Sequence, residues 1–79
     1  MTTYIEIWKR FSEAFDRATI EHGTKKRAAE SCNIPYSNLI RCLREPEERR
    51  LRIEWVATLC IELGISVEYV MIGRGKMFT

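Results

Sequence analysis

Lys25, Lys26 and Arg27 stand together where a helix is expected to begin, and Arg41, Arg44, Arg49, Arg50 and Arg52 follow soon after. The chemistry these side chains share is the holding of anions. A helix N-terminus already favours an anion, because its first amide groups are unpaired and the peptide dipoles align there. Like charges at that end cost some stability, a cost that is easier to understand if phosphate is the partner. Between Thr24 and Arg52 there are eight basic and four acidic residues (Glu30, Glu45, Glu47, Glu48), a charge of +4, while the remainder carries five basic and seven acidic, or −2. The formal net charge of +2 therefore conceals a basic middle segment with acidic flanks, the distribution that matters for a polyanion-binding face. The plain alternative for any single Lys or Arg is ordinary solvation.

The elements that must position these charges are legible around them. Lys25–Leu43, KKRAAESCNIPYSNLIRCL, reads as two short helices joined by a tight turn. Ala29 falls where the two helices must approach closely. Asn33 falls in the turn, where a positive φ is expected, and Asn tolerates that better than any residue except Gly. Ile34 and Leu39 are apolar plugs at the spacing that locks the second helix onto the first. Such a helix-turn-helix presents the solvent face of its second helix as a unit, an arrangement by which proteins enter the DNA major groove.

Three further helices are expected, giving an all-α chain. The first runs from about Thr3 to His22, with Tyr4, Ile7, Trp8, Phe11, Ala14, Phe15 and Ala18 forming one apolar stripe and Gly23 as its C′ stop. The second runs from Thr24 or Lys25 to about Cys32, with Thr24 as N-cap and Ala28, Ala29 and Cys32 as a small-residue inner face. The third starts after Ile34-Pro35 and ends near Arg44, with Leu39, Cys42 and Leu43 inward. Glu45–Arg50, EPEERR, is a charged connector that Pro46 keeps from being one continuous helix, and the fourth helix begins either near Glu47 or nearer Arg52. Its inward face is Ile53, Val56, Leu59, Cys60 and Leu63, with Trp55 unassigned and Gly64 ending it. The fifth runs from a Ser66 cap to about Ile72, ended by Gly73. Val67, Tyr69, Val70, Met71 and Ile72 are more apolar than one face can bury, which points to a packing partner.

The remaining residues exclude other chemistry. A chain of 79 residues with 46% hydrophobic residues makes one domain with one modest core, marginal enough alone to favour dimerisation or a second domain. Cys32, Cys42 and Cys60 are odd in number and widely spaced, with no zinc-ligand pattern, and each is expected as a small buried thiol. His22, the lone histidine, sits at a helix C-terminus, where a cation is favoured. No nucleophile–base pair or metal constellation accompanies it, so no enzyme, metal or cofactor is expected. MTTYIEIWKR leads straight into a charged helix, and no apolar run approaches spanning length. A cytoplasmic chain without membrane contact is expected.

The ending completes a pattern. Leu63-Gly64-Ile65-Ser66, then Glu68, Tyr69, Val70-Met71 and Gly73-Arg74-Gly75, together with the helix-turn-helix, resembles the N-terminal domain of CI-type temperate-phage repressors, in the lambda-repressor-like group. The resemblance spans roughly Phe11 to Gly75. It departs from the family at Lys25, often Gln; at Asn33, usually Gly; at Pro35, usually Ser; and at Cys42, usually a larger apolar residue. These departures touch the base-contact pattern, not the fold.

The resemblance implies a compact five-helix lambda-repressor-like bundle over residues 1–75, with 76–79 a tail or the start of a linker to a further C-terminal domain. It implies a repressor in a bacterial host cell, binding a pseudo-palindromic double-stranded DNA operator. Base contacts would come from Tyr36, Ser37 and Arg41, with Asn38 beside them. Arg41 would pair with guanine, worth about 1–3 kcal/mol of discrimination, and Asn38 could read adenine. Phosphates would be held by Lys25, Lys26 and Arg27 in front and by Arg44, Arg49 and Arg50 behind. A homodimer or higher oligomer would form through a C-terminal domain or through the fifth helix, by Val67, Val70 and Met71; equally, those residues complete the core against the first helix. The same fold also serves antitoxins and adaptors, in which that face meets protein.

Overall fold

The computed structural model describes residues 2–21 and 23–79. Among them are five helices: α1 (Tyr4–Ala18), α2 (Thr24–Ser31), α3 (Tyr36–Arg44), α4 (Ile53–Leu63) and α5 (Val67–Ile72). The all-α expectation is met, with one isolated antiparallel bridge, Ile65 to Phe78, as the exception.

α1 opens on a capping box. Thr3 Oγ1 accepts from the Glu6 amide and the Glu6 carboxylate accepts from the Thr3 amide, so two otherwise orphaned donors are satisfied. Those bonds from Thr3, with the Arg10 charge nearby, hold the Glu6 carboxyl below its usual pKa range. The helix ends at Ala18, short of His22, and the reading of His22 lies outside the described residues. The hydroxyl of buried Thr19 takes the Phe15 carbonyl, the acceptor a continuing helix would give to the Thr19 amide. That amide turns back to the Asp16 carbonyl instead, so side chain outcompetes backbone. Gly23 is then not a stop for α1 but the N-cap of α2, at φ 82°. Thr24 is the first helical residue, and its buried hydroxyl has no partner among the described residues.

The core is drawn from every helix. Phe11, Ala14 and Phe15 of α1 are fully buried, with the two rings stacked at a centroid distance of 5.4 Å. They meet Val56, Leu59 and Cys60 of α4 and Val70 of α5. Ala28 and Ala29 of α2 and Leu39 and Cys42 of α3 complete one side. Ile34, Leu51 and Ile65 plug it from the connections. Leu51 takes the place expected for Ile53, which is exposed in the first turn of α4. Trp55 and Leu63 are half-buried against the cluster.

α5 is clamped to α1 through its end. Arg10 Nε donates to the Val70 carbonyl at 2.9 Å and Nη2 to the Met71 carbonyl at 3.2 Å. A fixed guanidinium fork thus satisfies orphan carbonyls and complements the negative end of the helix dipole. Val70, expected as one of three dimer contacts, is 0% exposed and belongs to the core; Met71 is half-buried, and Val67 and Ile72 stay exposed. Residues 76–79, read as a tail, hydrogen bond back onto the α4–α5 turn. The Ser66 amide donates to Met77 and the Thr79 amide to Gly64, at 2.8 and 2.9 Å.

The α2–α3 connection is a tight turn. Asn33 lies at φ 57°, the only non-glycine residue described with positive φ. Its amide donates to Glu30, and the Ile34 amide reaches the Ala29 carbonyl at 2.8 Å. That pair of bonds closes α2 in a Schellman arrangement with Asn where Gly is commonest. Asn33→Val should therefore lower stability by about 1–2 kcal/mol, the cost of a bulky L-residue in the left-handed region, while Asn33→Gly stays near wild type. Urea unfolding of both variants checks this, and an innocuous valine would contradict the turn as described.

Candidate nucleic-acid interface

α2, α3 and the loop behind α3 carry the expected cationic residues. Gly23 caps α2 with no side-chain hydrogen bond. The Thr24 amide donates to the Glu21 carbonyl, and the Lys25 and Lys26 amides of the first turn have no partner among the described residues and can face an anion. Lys26 and Arg27 are exposed there, with no ion-pair partner among the described residues. Lys25 differs from its neighbours. Its ammonium pairs with Asp16 and lies 5.6 Å from the centre of the Phe15 ring, so it braces α2 against α1. Between these elements lies an open cleft of about 400 Å³, lined by Thr19, Ile20, Gly23, Lys25, Lys26 and Tyr36 among others. The first turn of α2 and the first residue of α3 thus share one concavity.

α3 sorts its residues by face. Leu39 and Cys42 are buried, whereas Ser37, Asn38, Arg41 and Arg44 are exposed, without hydrogen-bonded partners among the described residues. Tyr36 is half-buried against the core and edges the cleft. Arg41 and Arg44 fall in the last turn, where cations suit the dipole. They project guanidinium forks able to meet a base edge or a phosphate bidentately.

The loop after α3 is more ordered than its EPEERR composition implies. The Tyr4 phenol donates to the Pro46 carbonyl at 3.1 Å and accepts from the Leu51 amide at 2.8 Å. The Arg50 guanidinium lies 4.3 Å from the centre of the Tyr4 ring, and Arg52 lies 5.4 Å from that of Trp55. Arg49 is exposed, as are Glu45, Glu47 and Glu48. Tyr4 and Asp16 were not expected at this face. Helical spacing marks Tyr4 only as one more residue of the α1 stripe, and nothing in the local sequence pairs Asp16 with Lys25.

No group of three or more His, Cys, Asp or Glu side chains among the described residues is placed to hold a metal. No described helix is long and apolar enough to cross a membrane. Cys42 and Cys60 are buried as expected, whereas Cys32 is only half-buried. Burial pushes the Cys60 thiol up to about 11, and burial followed by the charge of Glu62 raises Cys32. No family model, curated protein or solved structure matches this chain.

Those thiols give a direct check. The folded-state pKa of Cys60 lies above its ordinary 9.0, so the protonated thiol is what folding favours. Its contribution is complete below pH 9 and lost as pH rises through about 11, so the melting temperature should fall across that window. At neutral pH a thiol-specific reagent should label Cys32 first and Cys60 only on unfolding. Labelling of Cys60 ahead of Cys32 would contradict the packing.

Proposed function

We propose that this chain is a sequence-specific double-stranded DNA-binding domain that uses α2 and α3 as a helix-turn-helix. α3 would enter the major groove. The carrying observation is that Ser37, Asn38 and Arg41 stand unpartnered on the exposed face of a helix whose opposite face is locked by Leu39 and Cys42. Ser37, Asn38 and Arg41 meet base edges, Arg41 by its fork to guanine and Asn38 by its amide to adenine. Tyr36 contacts a thymine methyl or a phosphate. Lys26 and Arg27 at the first turn of α2, with Arg44, Arg49 and Arg50 on the other side, hold the backbone. Lys25, neutralised by Asp16, contributes less than its neighbours.

The role is that of a repressor of phage or prophage type acting in the bacterial cytoplasm, a reading that rests on the sequence resemblance. It binds as a dimer on a pseudo-palindromic site, half-sites about one helical turn apart. With Val70 buried, the exposed apolar residues of α5 available to such a contact are Val67 and Ile72. A protein-binding module is the alternative, favoured by the large exposed apolar side chains away from α3, Ile61 at 78% and Ile53 at 48% exposure.

The test uses duplexes enriched by this chain from a random pool. Arg41→Ala should lose about 1–3 kcal/mol of discrimination at one base pair. Lys26→Ala should weaken all sequences alike and reduce the slope of log affinity against log salt by about one. Unchanged discrimination by Arg41→Ala, or a sequence-selective effect of Lys26→Ala, would overturn these assignments. A pool with no enrichment would favour the protein-binding module.

A further inference from the structure

We infer that Tyr4, at the far end of the molecule's first helix, is a positioning residue for the phosphate-binding edge behind α3, an inference that rests on the DNA-binding reading above. α3 packs chiefly on α2, and its front is fixed by the Asn33 turn. Its C-terminal end is continued by the loop that Tyr4 holds. One phenol oxygen takes both ends of that loop, donating to the Pro46 carbonyl and accepting from the Leu51 amide. The span between them carries Arg49 and Arg50.

The same side chain carries Arg50 over its ring, the guanidinium carbon 4.3 Å from the ring centre. A ring attracts the cation through its π-face and occupies none of the guanidinium's N–H groups in a hydrogen bond to oxygen. Arg50 is exposed and makes no hydrogen bond or ion pair from its side chain among the described residues. Cys42 adds a weak tether, its thiol 3.8 Å from the Arg50 carbonyl. A long side chain on a charged loop ordinarily loses rotamer freedom on meeting a phosphate. Tyr4 imposes that order beforehand, on a cation held against its ring in the loop that follows α3. Tyr4 itself need not touch the ligand.

The experiment measures binding of the full chain to a labelled mixed-sequence duplex across a range of salt, for wild type, Tyr4→Phe, Arg50→Ala and the double variant. Tyr4→Phe keeps the ring and removes both hydrogen bonds. Melting curves confirm that each variant is folded at the assay temperature. Arg50→Ala is expected to lower the salt slope by about one phosphate contact. Tyr4→Phe is expected to lower it toward the same value, and the double variant to go no further, as coupled residues do. A merely structural Tyr4 would leave the slope unchanged, or would add its effect in full to that of Arg50→Ala; either result overturns the inference while leaving DNA binding standing. Wild-type chain that binds no duplex, even at low salt, overturns the DNA-binding reading and this inference with it.

Discussion

The hydrogen bond from the Ile34 amide to the Ala29 carbonyl fixes the relation on which the exposed face depends. It forms only because Asn33 accepts a left-handed backbone, and because Ala29, fully buried, has no more than a methyl group to place between neighbouring helices. The chain then leaves α2 at one angle, Pro35 starts α3 in an extended conformation, and Leu39 and Cys42 are carried inward. Every outward residue of α3 is thereby determined. A helix only 6 to 15 residues long, as all five are here, has little stability of its own in water. What holds it is the face it buries and the caps at its ends, and at α3 this turn decides which face is buried.

Electrostatics then act on a frame already set. A net charge of +2 would predict little attraction for a polyanion if spread evenly. Here the cations are sorted by their partners. Lys25 is spent on Asp16 and Phe15, Arg10 on the carbonyls of α5, and Arg17 on Glu13. Lys26, Arg27, Arg41, Arg44 and Arg49 remain exposed on α2, α3 and the loop that follows, while Lys9, Arg74 and Lys76 are exposed elsewhere. Arg50 and Arg52 occupy an intermediate class, exposed but held over the rings of Tyr4 and Trp55. At physiological salt, interactions beyond about 8 Å are largely screened. Placement within one face, not total charge, therefore governs what the domain can grip.

Much of this frame was legible in the sequence because it follows from local chemistry. The glycines at 64 and 73, the cap at Ser66, the inward Leu39 and the left-handed Asn33 are each dictated by residues a few positions away. What was not legible is non-local or competitive. The early end of α1 turns on the Thr19 hydroxyl winning the Phe15 carbonyl, a contest that periodicity does not register. The tethering of 46–51 depends on Tyr4, distant in sequence. The burial of Leu51 in place of Ile53 follows from that tether, since the Leu51 amide is one of its two anchors. Residues 76–79 pair with the α4–α5 turn through backbone groups, which carry no side-chain signature. For the interface, residue types and spacing identified the cations, but only the fold separates Lys25 from Lys26.

The most direct measurement is a two-dimensional amide NMR titration of the isotope-labelled chain with a short mixed-sequence DNA duplex at low salt. Shifts are expected to concentrate in the first turn of α2, the exposed face of α3 and the loop from Pro46 to Arg52, with α5 and the residues after it unmoved. Shifts confined to α4, α5 and the C-terminal pairing, or a spectrum that the duplex leaves unchanged, would contradict the DNA-binding reading.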